Sequence, residues 1–313
     1  MSRCKEWLKD TTNLAYLTMI IVWLTTIVTI KGFARLGHNV STLQTAALMG
    51  FAVLGQAIVV ISGGIDMSVS EIITLGSVTC AACIKAGMPL PVAIVLALLA
   101  CMLVGAFNAT SIVFLKVPPI IQTIAAGCII EGTLLVLTNG TPPAGCGPVL
   151  SWMSKGKPLT VTNAFWIWMA MYGLLWWLMN RSKFGRYIYA IGTNVNTARN
   201  SGVHVTKMNY MIYMISGLCA GISGILMLGN IGSTYLTIGD PYQLYSIASV
   251  VIGGIAITGG KGKFSGVIAG TILTVLIRDI LNVMSISEAF RNIFQGLLVL
   301  TLLLAYGRGR KAG

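Results

Sequence analysis

Charge is scarce in this chain. Only 9% of its 313 residues are Asp, Glu, Lys or Arg, against about 25% in an ordinary soluble domain. That excludes a water-facing exterior over most of the surface. Acidic residues are the rarest, 8 against 21 basic, and the net charge is +13. The basic residues sit between apolar runs and line no single patch, so a nucleic-acid partner, the usual reading of so basic a chain, is excluded. Histidine occurs twice, as His38 and His204. The two are far apart and are expected on opposite faces, which leaves neither a histidine metal site nor a Ser-His-Asp arrangement. A Walker A loop is also missing. Gly259-Gly260-Lys261-Gly262 puts glycine where Ser or Thr must follow the lysine, and Ile255 stands in place of the first glycine. The chain is therefore expected to hydrolyse no ATP itself, to bind no cofactor and to be no enzyme. The seven cysteines are an odd number, mostly inside apolar segments, and the pair Cys80 and Cys83 has no second pair beside it. Neither a disulfide framework nor a zinc site follows.

Hydrophobic side chains are abundant: 56% of the residues, with a mean hydropathy of +0.84. A bilayer crossing takes about 20 apolar residues. Charge-free stretches and breakers predict helices at roughly 11–30, 44–62, 68–85, 91–114, 118–137, 163–179, 208–228, 242–258, 264–283 and 287–306. The chain thus reads as one all-α transmembrane domain over 1–313, a polytopic helical membrane protein of about ten transmembrane helices. Thr11 to Ile30 carries no charge and no cleavage site behind it, so it reads as a retained first crossing and not as a signal peptide. With the N-terminus placed inside, the inner connections hold fourteen Lys and Arg and the outer ones five, a bias that puts both termini in the cytoplasm. A long loop at 138–162 then faces outward and another, at 180–207, faces inward. Pro118-Pro119 and Asp240-Pro241 suit helix starts, and Ser68 with Glu71, like Ser285 with Glu288, has the capping-box spacing.

Five features could carry chemistry. Gly63, Gly64, Asp66 and Ser68 interrupt two apolar stretches; irregular backbone at membrane depth survives only when buried in protein or lining a cavity. The alternative is a tight inner turn with Asp66 and Ser68 as caps. Glu131 falls about two-thirds along its helix, where a carboxylate either lines a polar route or pairs with a neighbouring helix. Arg278 and Asp279 are adjacent near a helix end, where snorkelling accounts for them. Among the uncharged polar residues within spans, Gln44, Gln56, Asn108, Gln122 and Thr123 suit either a hydroxylated solute or interhelical hydrogen bonds. Finally, the inner loop carries Arg181, Lys183, Arg186 and Arg199. Between Gly192 and Gly202 it holds a helix-compatible stretch of the kind that docks in a partner's groove.

Phe184-Gly-Arg-Tyr-Ile-Tyr-Ala-Ile-Gly192 with Ala198-Arg-Asn-Ser-Gly202 resembles the permease subunits of ribose-type sugar ABC importers. So do Gly63-Gly-Ile-Asp-Met-Ser68, Pro118-Pro-Ile, Gly140 after Thr138-Asn139, and Val251-Ile-Gly-Gly254 with Gly259-Gly-Lys-Gly262, in the family's order over roughly 40–300. The resemblance implies a permease in the bacterial cytoplasmic (inner) membrane, working by alternating access. Its implied partners are a second permease subunit, a cytoplasmic ATPase subunit that binds the ATP and Mg, an extracytoplasmic sugar-binding protein and the lipid bilayer. It assigns coupling to the ATPase to Gly185, Arg186, Gly192, Asn194, Ala198, Arg199, Ser201 and Gly202. A substrate pathway falls to Gly63, Gly64, Asp66, Ser68, Asn108, Thr123 and Glu131. The chain departs from the family's pattern at Val195-Asn196, at Asn108-Ala109, at Glu131-Gly132 (where Arg-Gly is common) and at Ser70-Glu71. A nucleoside cargo is the rival within the family; an ion-coupled secondary transporter using Asp66 and Glu131 is the rival outside it.

Overall fold

The computed structural model describes residues 10–30, 32–291, 293, 294, 296, 297, 300 and 301. Up to Val283 the described residues form twelve helices: α1 Thr11–Thr29, α2 Leu36–Ile61, α3 Val69–Lys85, α4 Leu90–Phe114, α5 Pro119–Thr138, α6 Gly147–Lys155, α7 Asn163–Arg181, α8 Lys183–Thr193, α9 Val195–Asn200, α10 Val205–Ile231, α11 Tyr242–Ile252 and α12 Gly266–Val283. Six of them (α1, α2, α4, α5, α10 and α12) are long and apolar enough to cross a membrane.

Most expected spans are present within a few residues, and α5 starts at Pro119 as its sequence predicts. Three expectations are corrected. The span at 242–258 stops at Ile252, where Gly253 closes α11 and a turn-rich segment takes over. The loop at 138–162 contains α6, a short helix that packs against α10. Neither capping box forms. The Ser68 hydroxyl donates to Asp66 and caps nothing, while Ser285 adopts a left-handed φ of 57° and ends α12, with the Ile286 N–H bonded to Leu281 O. The last expected span, 287–306, lies partly outside the described residues.

The layers follow from composition. An all-round apolar helix belongs either in the interior or against lipid, and burial separates the two cases. In α2, 89% of the most apolar stretch is buried, and in α10 72%, whereas α1 has 17% and α4 22%. Thus α2 and α10 form the centre, with α3 and α4 packed on α10 and α12 on α2. Leu24 and Val28 of α1, Leu103 of α4 and Val136 and Leu137 of α5 point outward. Threonines on these outer helices have no water to bond, and they satisfy themselves locally. The hydroxyls of Thr18, Thr25, Thr29 and Thr133 each donate to the carbonyl four residues earlier.

Close contact at the centre needs the absence of side chains. A Cβ at Gly105 of α4 would overlap the Tyr213 carbonyl of α10, and one at Gly224 of α10 would overlap the Ile73 carbonyl of α3. At the periphery, the Asp10 carboxylate pairs with Lys263, which holds its pKa below the usual carboxylate value. Thr11 Oγ1 donates to Gly254 O at 3.3 Å and the Tyr16 hydroxyl to Ser265 O at 2.8 Å, so α1 is tied to the turn before α12. Arg278 and Asp279 have partners of their own. The Arg278 guanidinium lies 5.3 Å from the Tyr245 ring centroid, and Asp279 accepts a 2.6 Å hydrogen bond from Thr42. Snorkelling alone is therefore corrected to interhelical bonding.

Gly105→Ala and Gly224→Ala are each expected to destabilise the detergent-purified chain by about 1–3 kcal/mol through overpacking, read as a fall in thermal midpoint. Gly132→Ala, with open space around the new methyl, serves as the control and should leave that midpoint level or slightly raised. Equal losses in all three variants would show that helix contact is not the cause.

Candidate functional site

The break after α2 is filled by a hydrogen-bonded knot. Asp66 is buried, and its Oδ1 accepts from the Ser68 N–H at 3.0 Å and the Ser68 hydroxyl at 2.6 Å. Its Oδ2 accepts from the Ser216 hydroxyl of α10 at 2.8 Å. Asn108 of α4 donates to Ser68 Oγ at 3.0 Å, and Gln122 of α5 lies at hydrogen-bond limit from Asn108 Oδ1, 3.5 Å. Thr123 Oγ1 accepts from the Met67 N–H at 2.9 Å, and Gln243 of α11 donates to Met67 O at 2.7 Å. Non-helical backbone inside a membrane protein must find such partners, because lipid offers none. Five elements meet here: the break itself, α4, α5, α10 and α11. Of the expected pathway residues, Asp66, Ser68, Asn108 and Thr123 are brought together in this knot and buried. Gly64 abuts the Tyr213 hydroxyl beside it.

Glu131 lies elsewhere, on a cavity of about 280 Å³ lined by Ser70, Glu71, Thr74, Glu131, Asp240 and Gln243, with Leu134 and Leu236. The cavity exists because α11 is short. Eleven residues rise about 16 Å, roughly half of the ~30 Å hydrocarbon core. The segment 232–241 folds back from the end of α10 until the Gly239 N–H reaches Thr74 Oγ1 at 3.2 Å, so α11 begins beside the first turns of α3. Broken helices of this kind commonly bound transport sites. Glu71 and Asp240 are the residues that sequence reasoning missed. Their sequence context explains each as a helix-start residue, and nothing in the linear pattern brings them to Glu131.

The third element is a junction of three turns. The Ile61 carbonyl at the end of α2 accepts from the Gly260 N–H at 2.8 Å. A Cβ at Gly192 would overlap that same carbonyl oxygen, and one at Gly259 would come within 2.7 Å of Gly63 Cα. Gly63 itself turns at φ 88°. The Tyr189 hydroxyl of α8 closes the contact on Gly262 O at 3.0 Å. The Gly259–Gly262 stretch, useless as a phosphate loop, is thus a tight turn that seats α8 against the end of α2.

From this junction α8 and α9 project. Gly185 is buried against the Met179 carbonyl, and Ala198 is buried as well. Asn194 starts α9, its side-chain oxygen accepting from the Thr197 N–H at 3.0 Å. Gly202 ends the turn at φ 83°, where its N–H bonds to Arg199 O and the Val203 N–H to Ala198 O. Arg186, Arg199 and Ser201 are exposed, with Arg181, Lys183 and Lys207 nearby and no acidic residue between 181 and 207. The coupling residues named from sequence therefore divide into a packed set (Gly185, Gly192, Ala198) and an exposed basic face.

Asp66→Ala leaves three donors without their acceptor, at roughly 1–3 kcal/mol for each one that stays buried and unpaired. It is expected to lower the unfolding midpoint markedly, and Ser216→Ala only slightly. If Asp66→Ala unfolds like the parent chain, the knot does not hold the break.

Comparison with known proteins gives the family. Residues 39–303 match the family described as branched-chain amino acid transport system / permease component. The chain is 28% identical over 304 residues to the ribose import permease protein RbsC of Escherichia coli K12, covering 96% of this chain and 94% of that one. It is 31% identical over 271 residues to RbsC of Bacillus subtilis 168, covering 84% and 82%. To the autoinducer 2 import system permease protein LsrC of Yersinia pestis Pestoides F it is 30% identical over 290 residues, covering 90% and 83%. No solved structure matches it significantly. A match over most of the chain, together with the broken-helix core, shows that this is a multi-pass membrane permease belonging to the branched-chain amino acid transport system / permease component family.

Proposed function

We propose that the chain is the permease subunit of an ATP-binding-cassette importer for a sugar-like solute, a ribose-like monosaccharide in the first instance. The relatives named for ribose import support the cargo class. In this reading the chain crosses the bacterial cytoplasmic membrane about ten times with both termini inside. It pairs with a second permease subunit beneath an extracytoplasmic binding protein. ATP and Mg stay on a separate cytoplasmic ATPase.

The observation that carries the reading is the inner junction. A motor pushing on α8 and α9 acts through Gly192 directly on the Ile61 carbonyl, and from there on the break that holds Gly63, Gly64 and Asp66. Backbone-to-backbone contact leaves no flexible side chain to absorb the displacement. Moving the break disturbs the knot shared by α4, α5, α10 and α11, the rearrangement that alternating access requires. The exposed Arg186 and Arg199 face the ATPase and the buried Ala198 anchors α9.

Gly192→Ala forces the Ile61 and Gly260 backbones apart, so ATP hydrolysis should persist in membrane vesicles of the assembled importer while solute uptake falls about tenfold or more. Uptake at the parent rate would remove the junction from the coupling route. Orientation has its own check: a cysteine at Arg199 should react with a membrane-impermeant maleimide only from the cytoplasmic face, and labelling from outside alone would overturn the topology.

A further inference from the structure

We infer that the corner where α7 turns into α8 binds the headgroup of an anionic phospholipid, held by Arg181 and Lys183 next to Trp177. The inference needs only the membrane placement shown above and goes beyond the importer reading. In α7, Trp168, Leu175 and Met179 are buried, on the side that packs against α2. By the 3.6-residue period, Leu174, Trp177 and Arg181 share the opposite face. No described residue covers it: Leu174 is 59% exposed and Trp177 56%. Apolar side chains of that size on a membrane helix are left to lipid.

The order of residues along this face locates the membrane surface. Leucine, tryptophan and arginine follow one another at about one turn each. A tryptophan ring sits best at headgroup level, where its body is in apolar surroundings and its N–H is wet. One turn further, about 6 Å, comes Arg181. The headgroup region adds about 5–8 Å to each side of the hydrocarbon core, so this arginine stands at the depth of the phosphates. Lys183 opens α8 two residues later, and both cations are exposed. Tyr187, one turn along α8 from Lys183, is exposed as well and adds a second amphipathic ring to the corner.

Charge decides which lipid fits. The ion pairs among the described residues, Asp10–Lys263 and Asp279–His38, leave Arg181 and Lys183 out. No Asp or Glu between 181 and 207 neutralises them. A zwitterionic headgroup brings its own ammonium beside the phosphate, and two fixed cations repel it. A phosphatidylglycerol headgroup brings the phosphate without that ammonium. A guanidinium can bond two phosphate oxygens at once, and a lysine ammonium adds a point charge beside them. Leu174 and Trp177 offer the acyl chains an apolar wall. Each cation at an anionic surface contributes about fivefold in binding.

The test titrates the purified full-length chain, in detergent micelles, with phosphatidylglycerol or phosphatidylcholine, and native mass spectrometry counts the lipids retained. The parent chain should half-saturate with phosphatidylglycerol at a concentration about tenfold or more below that for phosphatidylcholine. Arg181→Gln combined with Lys183→Gln, both exposed positions, should abolish the preference. Arg199→Gln combined with Lys261→Gln removes the same charge from exposed positions off the α7 face and should keep it. Inorganic phosphate at matched ionic strength should displace no lipid; displacement would make free phosphate the ligand and overturn the inference. So would a preference that survives in the first double variant or vanishes equally in the second. Equal retention of both lipids by the parent chain would also overturn it, and would leave the two cations to a protein partner. No ATPase enters the measurement, so its failure leaves the importer reading intact.

Discussion

One carbonyl oxygen governs how this molecule holds together where α2 ends. Ile61 O ends a 26-residue helix, and its α-helical partner is gone because the chain breaks at Gly63. In lipid an unpaired carbonyl costs several kcal/mol, so another backbone must come to it. The Gly260 N–H does, and Gly192 lies against the same atom. Any side chain at Gly192 would exclude that approach. The meeting of three turns is therefore a consequence of ending a buried helix inside a bundle, and it fixes the position of α8, α9 and the turn before α12 at one stroke.

The bundle holds two polar clusters of opposite character. Around Asp66 every group has its partner, and a satisfied network in low dielectric rigidifies what it joins. Around Glu71 the space is open, with Glu131 and Asp240 exposed at its wall. Both lie on the same broken backbone, only a few residues apart. The satisfied knot thus holds the break in place beside the open space of the second cluster.

Much of this was legible in the sequence, and the limits have physical causes. Apolar run length located α1, α4, α5 and α12 within a few residues, because in lipid every backbone group must be satisfied within its own segment. The break at 62–68 was legible for the same reason. Hydropathy carries no depth, however, so Asp240-Pro241 reads only as a helix start, with no sign that the segment before it folds back to Thr74. Spacing alone also misleads at Ser68, whose hydroxyl finds a carboxylate two residues away sooner than the backbone three residues on. Arg278 and Asp279 look like surface anchors until their neighbours Tyr245 and Thr42 are seen. The assembly of Glu71, Glu131 and Asp240 had no signal to find, since two helices and the turn before α11, far apart in the chain, supply it.

The attachment of α1 has a bearing on how the protein is made. Its tertiary hydrogen bonds to the turn before α12 run from Thr11 and Tyr16 to residues 243 and 249 positions downstream. Once made, α1 must therefore wait in the bilayer, its apolar surface tolerated there by lipid, until the chain has been synthesised as far as Ser265. Insertion of this segment and its final docking are separate events in time, and the interval between them is when newly made chains stand open to quality-control proteases.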